Sequence, residues 1–128
     1  MRDLTHSIGI VQAVEPQVLT ATDTGAAIDL GGFGSATVIV ESGAIVEAGD
    51  FTAKLQESDT TTSGDFADVA AGDLIGSFPT SLEENSAVKV GYAGGKRYIR
   101  TVVTKNGGTS IAASVIVVKG HAANRPVA

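Results

Sequence analysis

Ser35-Ala36-Thr37-Val38-Ile39-Val40-Glu41 decides how the chain is read. Side chains alternate with period two along a strand, so Ala36, Val38 and Val40 share one face, and Ser35, Thr37, Ile39 and Glu41 share the other. Four consecutive β-branched residues suit a pleated surface better than a helix. The pattern recurs downstream. In residues 51–57, Phe51, Ala53 and Leu55 oppose Thr52, Lys54 and Gln56. In residues 87–92, Val88, Val90 and Tyr92 share a face. Residues 97–104 follow Gly94-Gly95, and residues 111–119 follow Asn106-Gly107-Gly108, so both junctions read as tight hairpin turns. The last run is apolar on both faces, which places it centrally in the fold or under a partner.

Upstream of residue 35 the pieces are shorter. Residues 7–14 and 17–22 read as two strands broken by Pro16, and residues 26–30 as a third, short one. Gly31-Gly32-Phe33-Gly34 precedes a strand. A phosphate-cradling loop would follow a strand and open a helix, so this one reads as a turn or bulge. Residues 42–50 and 76–85 read as connections, and residues 58–64 as an exposed polar loop. Residues 66–74 hold the one plausible helical turn, limited by Gly72. The expectation is an all-β fold: a compact antiparallel sandwich or barrel with at most one short helical turn. A single domain spans residues 1–120, followed by a tail over 121–128.

Composition agrees. The 128 residues include 16 Gly, four Phe, two Tyr and no Trp, so the core must be built from small branched side chains. There is no cysteine, which removes disulfides, zinc–thiolate sites and thiol catalysis. No run has the length or hydropathy of a membrane span or a signal peptide, so no membrane partner is expected.

Charge is divided along the chain. All fourteen acidic residues lie at or before Glu84, alongside only Arg2 and Lys54; from Asn85 onward there are seven basic residues and none acidic. The total is −5, which disfavours non-specific nucleic-acid binding. Either the halves interleave and neutralise each other, or the subunit is dipolar and its faces complement neighbours.

Chemistry-bearing motifs are sparse. The two histidines, His6 and His121, stand near opposite ends with no context marking either as a base. Asp59, Asp65 and Asp68 lack the alternate spacing of a calcium loop, and Glu83-Glu84 lacks the aromatic platforms that accompany a glycosidase pair. No catalytic residue, cofactor or metal ligand is assigned, and the chain reads as a non-enzyme. The densest local feature is Gly91-Tyr92-Ala93-Gly94-Gly95-Lys96-Arg97-Tyr98-Ile99-Arg100, with two tyrosines and three cations about a turn. It reads equally as a core cap whose cations pair with the acidic half and as a protein interface, since Tyr and Arg dominate interface energetics; base-stacking on a nucleic acid is the lesser reading.

These residues carry a resemblance. The segments Phe51 to Asp59, Gly64 to Ile75, Gly91 to Arg100, and Val118 to His121 with Arg125-Pro126 resemble small virion proteins of tailed bacteriophages encoded near the major capsid protein. The resemblance implies a capsid decoration, or cement, protein. Such a protein is made in the bacterial cytoplasm, sits on the capsid exterior, and binds the major capsid protein and copies of itself, as a trimer in many cases. It would need no cofactor. A head–tail connector or minor tail protein, a carbohydrate-binding module and a small hydrolase are the rivals. The interface residues it suggests are Arg2, Leu4, His6, Tyr92, Lys96, Arg97, Tyr98, Arg100, His121 and Arg125.

Overall fold

A computed structural model describes residues 3–127, so Arg2 of the expected interface lies outside the described residues. In chain order the strands are β1 Gly9–Leu19, β2 Asp23–Thr24, β3 Ile28–Asp29, β4 Phe33–Val46, β5 Asp50–Ser58, β6 Ala67–Asp68, β7 Leu74–Ile75, β8 Ala87–Tyr92, β9 Tyr98–Gly107 and β10 Ser110–Ala122. They form two antiparallel sheets. The first has the order β1-β10-β4-β8-β7; in the second the order is β2-β9-β5-β6, and β3 also pairs with β9. The expected all-β class holds, as an open two-sheet sandwich and not a barrel.

Alternation builds the core. Val38 and Val40 from β4, Val90 from β8, and Val115 and Val117 from β10 point inward from the first sheet. Phe51 and Leu55 from β5, and Ile99 and Val103 from β9, point inward from the second. Each is 2% exposed or less. Burying such a side chain contributes roughly 1.5–3 kcal/mol, so the double row of branched residues is the main attraction between the sheets. Leu82 closes one end, its backbone N–H donating to the Phe51 carbonyl at 2.8 Å.

Several sequence expectations are corrected. The two presumed tight turns are not hairpins. β8 lies in the first sheet and β9 in the second, while β10 returns to the first, so Gly94-Gly95 and Asn106-Gly107-Gly108 are arches that cross between sheets. Turn composition reports a reversal, but which strand pairs with which is set by where apolar faces can be buried.

Residues 42–46 are not a connection, because β4 continues to Val46 along β10. Gly43 is tolerated in the strand because Ala112 packs against it. Pro16 does not divide two strands either. β1 runs through it as the edge strand, with bulges between Gln12 and Val14 and between Val14 and Gln17.

Residues 66–74 do not coil. Single 3₁₀ turns at Ser63–Asp65 and Ala71–Asp73 flank β6, and a third lies at Thr5–Ser7. Val69 donates its backbone N–H to the Leu55 carbonyl at 3.0 Å and buries its side chain, which ties this stretch to β5. β10 runs to Ala122, two residues into the expected tail. The rest of that tail returns to its own body: Ala123 N–H donates to Gly32 O at 2.8 Å, and Val127 N–H to His6 O at 2.9 Å.

The β4–β5 and β9–β10 crossings lie side by side. Glu47 and Ala48 adopt positive φ there, and so does Gly108 at 71°. A Cβ on Gly108 would overlap the Ala48 carbonyl, and one on Gly49 the Ser110 carbonyl. Two backbones therefore touch where no side chain fits. Gly108→Ala is expected to lower the unfolding free energy by about 2 kcal/mol or more, from overpacking plus the left-handed backbone. Gly107→Ala, which meets open space, should stay within about 0.5 kcal/mol of the parent. Urea unfolding midpoints of the two variants check the pair.

Candidate functional site

The arch between β8 and β9 meets the Gly31-Gly32 turn at one end of the sandwich, around a shallow cleft of about 280 Å³ lined in part by Tyr92, Gly94, Lys96 and Arg97. Tyr92 lies on the inner face of β8 and is 5% exposed. Its hydroxyl donates to Glu57 Oε1 at 2.6 Å and accepts the Lys96 backbone N–H at 3.1 Å. Burial, then the hydrogen bond to Glu57, pushes the phenol well above its ordinary range. The ring caps the core and holds the arch, so it is not presented to a partner.

The three cations of this segment are engaged within the chain. Lys96 Nζ contacts Asp59 Oδ2 at 2.7 Å. Arg97 grips Asp29 with two parallel bonds, Nε to Oδ1 at 2.9 Å and Nη2 to Oδ2 at 3.0 Å, and its guanidinium lies 5.4 Å from the Tyr98 ring centre. Arg100 donates to Gln56 Oε1 at 2.7 Å and to Ser63 Oγ at 2.9 Å, with its guanidinium 4.4 Å from the Phe66 ring centre.

Lys54 adds a contact with Asp68 at 3.1 Å. Asp59 and Asp68 thus face cations, while Asp65 accepts a bond from Thr60 Oγ1 at 2.6 Å. Interleaving of the two halves is seen at two ion pairs, Lys96–Asp59 and Arg97–Asp29, while Lys54–Asp68 lies within the acidic half. Among the described residues, no group of three His, Asp or Glu side chains is placed to hold a metal ion.

The termini form a second region. His6 Nδ1 lies 2.7 Å from Asp3 Oδ2, and the His6 backbone N–H donates to Asp3 Oδ1 at 3.1 Å. Leu4 beside them is 52% exposed. His121, at φ 51°, places Nδ1 2.7 Å from Ser35 Oγ. Arg125 is exposed. The expected interface residues therefore separate. Lys96, Arg97, Tyr98 and Arg100 gather around the arch; Leu4 and His6 sit with Val127 at the termini; His121 pairs with β4; and Tyr92 belongs to the core.

A third surface was missed by sequence reasoning. On the outer face of the first sheet the register aligns Ile10, Val118, Thr37 and Gly91 across four strands, with Ile75 pairing on the far side of Gly91. The next row is Gln12, Ile116, Ile39 and Lys89. Ile10 is 68% exposed, Ile75 67%, and Val18, farther along β1, 62%. The available signal was the two-sided apolarity of residues 111–119, but its mates on β1 and β7 could not be aligned without the register.

No family model matches the chain, and no curated protein matches it. Solved structures similar to it include the crystal structure of PirA, at 14% identity over 94% of this chain and 99% of that one, with a TM-score of 0.46. The SPBc2 prophage-derived protein YomS is 15% identical over 87% of this chain and 94% of its own, with a TM-score of 0.48. A chain of infectious bursal disease virus, Gx strain, is 13% identical over 93% of this chain and 33% of its own, with a TM-score of 0.48. No function is carried across from them. The class defined by the fold is a two-sheet antiparallel β-sandwich. Among the described residues, no helix is long and apolar enough to cross a membrane.

Two outcomes are expected. The Arg97 guanidinium, then the Gly31 N–H, hold the Asp29 carboxyl at about 2 against an ordinary 3.8. Its contribution to stability is complete above the ordinary value and is lost as pH falls through about 2. A carbon-13 titration should place the Asp29 midpoint near that value, and Asp29→Asn should make acid unfolding below pH 4 shallower. Tyr92→Phe leaves Glu57 and the Lys96 N–H without the hydroxyl and is expected to cost about 1–3 kcal/mol, read by urea unfolding.

Proposed function

We propose that this chain is a capsid decoration (cement) protein of a tailed bacteriophage. It binds the outside of the head through contacts with the major capsid protein and with copies of itself. The observation carrying this reading is how the polar groups are used. The cations of the Tyr92–Arg100 segment brace the sandwich itself, while an apolar sheet face is left outside. A body of that kind suits repeated protein contacts on a symmetric shell, where many weak contacts add up. The resemblance of the Phe51–Ile75 and Gly91–Arg100 segments to small virion proteins points the same way.

A carbohydrate-binding surface is less well supported. Tyr92 is buried, and cations cover the Phe33 and Phe66 rings, leaving no open aromatic platform around them. A hydrolase is less well supported as well. His121 meets a serine, Ser35, and His6 meets an acid, Asp3, but these pairs are separate and neither makes a serine–histidine–acid set.

In this reading Tyr98 and Arg100, half-exposed on β9 beside the arch, make one contact with the shell, and the terminal cluster of Leu4 and His6 makes another. His121 and Arg125 belong to the C-terminal segment, and Arg2 is assigned to the interface by sequence alone.

Quantitative mass spectrometry of purified heads tests the function. Copies on the order of hundreds per particle are expected for a repeated shell element. A number near six or twelve, the scale of a ring, would make it a connector or tail part, and absence would overturn the virion reading. Tyr98→Ala combined with Arg100→Ala should weaken attachment to heads. Full attachment by the folded double variant would remove the arch from the contact.

A further inference from the structure

We infer that the outer face of the β1-β10-β4-β8-β7 sheet is a self-docking surface that seats the same face of a second copy. The inference deepens the reading above by assigning the copy-to-copy contact, and rests on it only for where the dimer works.

Size is the first argument. Strands lie about 4.8 Å apart and rise ~3.4 Å per residue; β1, β10 and β4 fill the Ile10–Val18 span while β8 and β7 cover only part of it, so the face presents on the order of 450 Å². Two such faces together bury about 900 Å², the size of a weak, reversible contact formed at micromolar concentration. Ile10 and Ile75 are exposed on this face, and Ile39 and Ile116 sit half-buried between them. Ile10, Val118, Ile116, Ile39 and Ile75 string an apolar stripe across the sheet, and such a stripe on a folded chain marks an interaction surface.

Charge selects the occupant. The molecule carries −5, so two copies repel wherever that charge is presented. On the aligned rows of this face the charged residues are Lys89, beside Ile39, and Glu41, beside Ser114 and Ala87. They cancel, and among the described residues neither takes part in a salt bridge. A two-fold contact is reciprocal: if Lys89 of one copy meets Glu41 of the other, the converse pair forms too. A strongly charged partner would find no complement here, whereas an identical face finds one.

Edge-to-edge pairing through β1 is the rival geometry. That edge carries Pro16 and two bulges, the devices that block strand addition. Face-to-face stacking needs no free backbone groups.

The test is sedimentation equilibrium of the full chain from low to high micromolar concentration. A mass of twice 12.9 kDa is expected. Ile10→Asp with Ile75→Asp, both at exposed positions, should weaken the dimer roughly 100-fold or more, because each loss counts twice at a two-fold interface. The far-ultraviolet circular dichroism of that variant should be unchanged. Lys89→Glu or Glu41→Lys alone should weaken association several-fold, and the two together should restore it.

A wild-type monomer at all concentrations overturns the inference, as does a double aspartate variant that dimerises like the parent. A monomer that still coats heads overturns the dimer face and leaves the proposed function standing. If that monomer loses head binding on Ile10→Asp with Ile75→Asp, the face belongs to the capsid and self-docking is overturned. A dimer absent from heads supports the face and overturns the function.

Discussion

The structure depends on one constraint: two sheets must be held together by side chains no larger than the chain supplies. With no Trp and four Phe, the inward rows are mostly Val, Ile and Ala. Such rows fill a sandwich only if the strands stay in strict alternation over a long run, because each side chain reaches only a short way across. β4 and β10, of 14 and 13 residues, meet that demand by pairing along most of their length. β5 and β9 do the same in the other sheet.

The crossings follow from the same constraint. A strand whose inward face is apolar must find a sheet with room for it. β9 and β10 therefore separate at Gly108 although they are consecutive in sequence, and the glycines at this corner let backbones touch. The charged residues then fasten the open ends. Arg97 ties the arch to β3, Lys96 ties it to the loop after β5, and Arg100 ties β9 to the Phe66 region. Each contact joins the basic second half to the first half of the chain, and for Lys96 and Arg97 the partner is a carboxylate. The first sheet's outer face keeps its apolar stripe from Ile10 to Ile75, with Lys89 and Glu41 beside it.

The candidate surfaces were unevenly legible. The cations of residues 96–100 stand out as a cluster in sequence; Lys96 and Arg97 pair with Asp59 and Asp29, while Arg100 takes the neutral partners Gln56, Ser63 and Phe66. Tyr92 looked equivalent to Tyr98, but strand parity sends the first into the core and leaves the second half-exposed beside Arg97. The Ile10-to-Ile75 row was invisible, since its members are scattered from residue 10 to residue 118 and meet only through the registers of four strand pairs.

By itself, the sequence determined that the chain is all-β, where the strand cores of residues 35–41, 51–57, 87–92, 97–104 and 111–119 lie, and which of their faces are apolar. These are local properties, set by period-two alternation and β-branched side chains that act within a few residues. Only the tertiary structure decided that the glycine junctions at 94–95 and 107–108 are arches between sheets, that β1 passes through Pro16, and that the cations are already partnered. Those outcomes depend on which distant strand offers a face to bury against and which distant carboxylate lies within reach. No local pattern of residues encodes that competition.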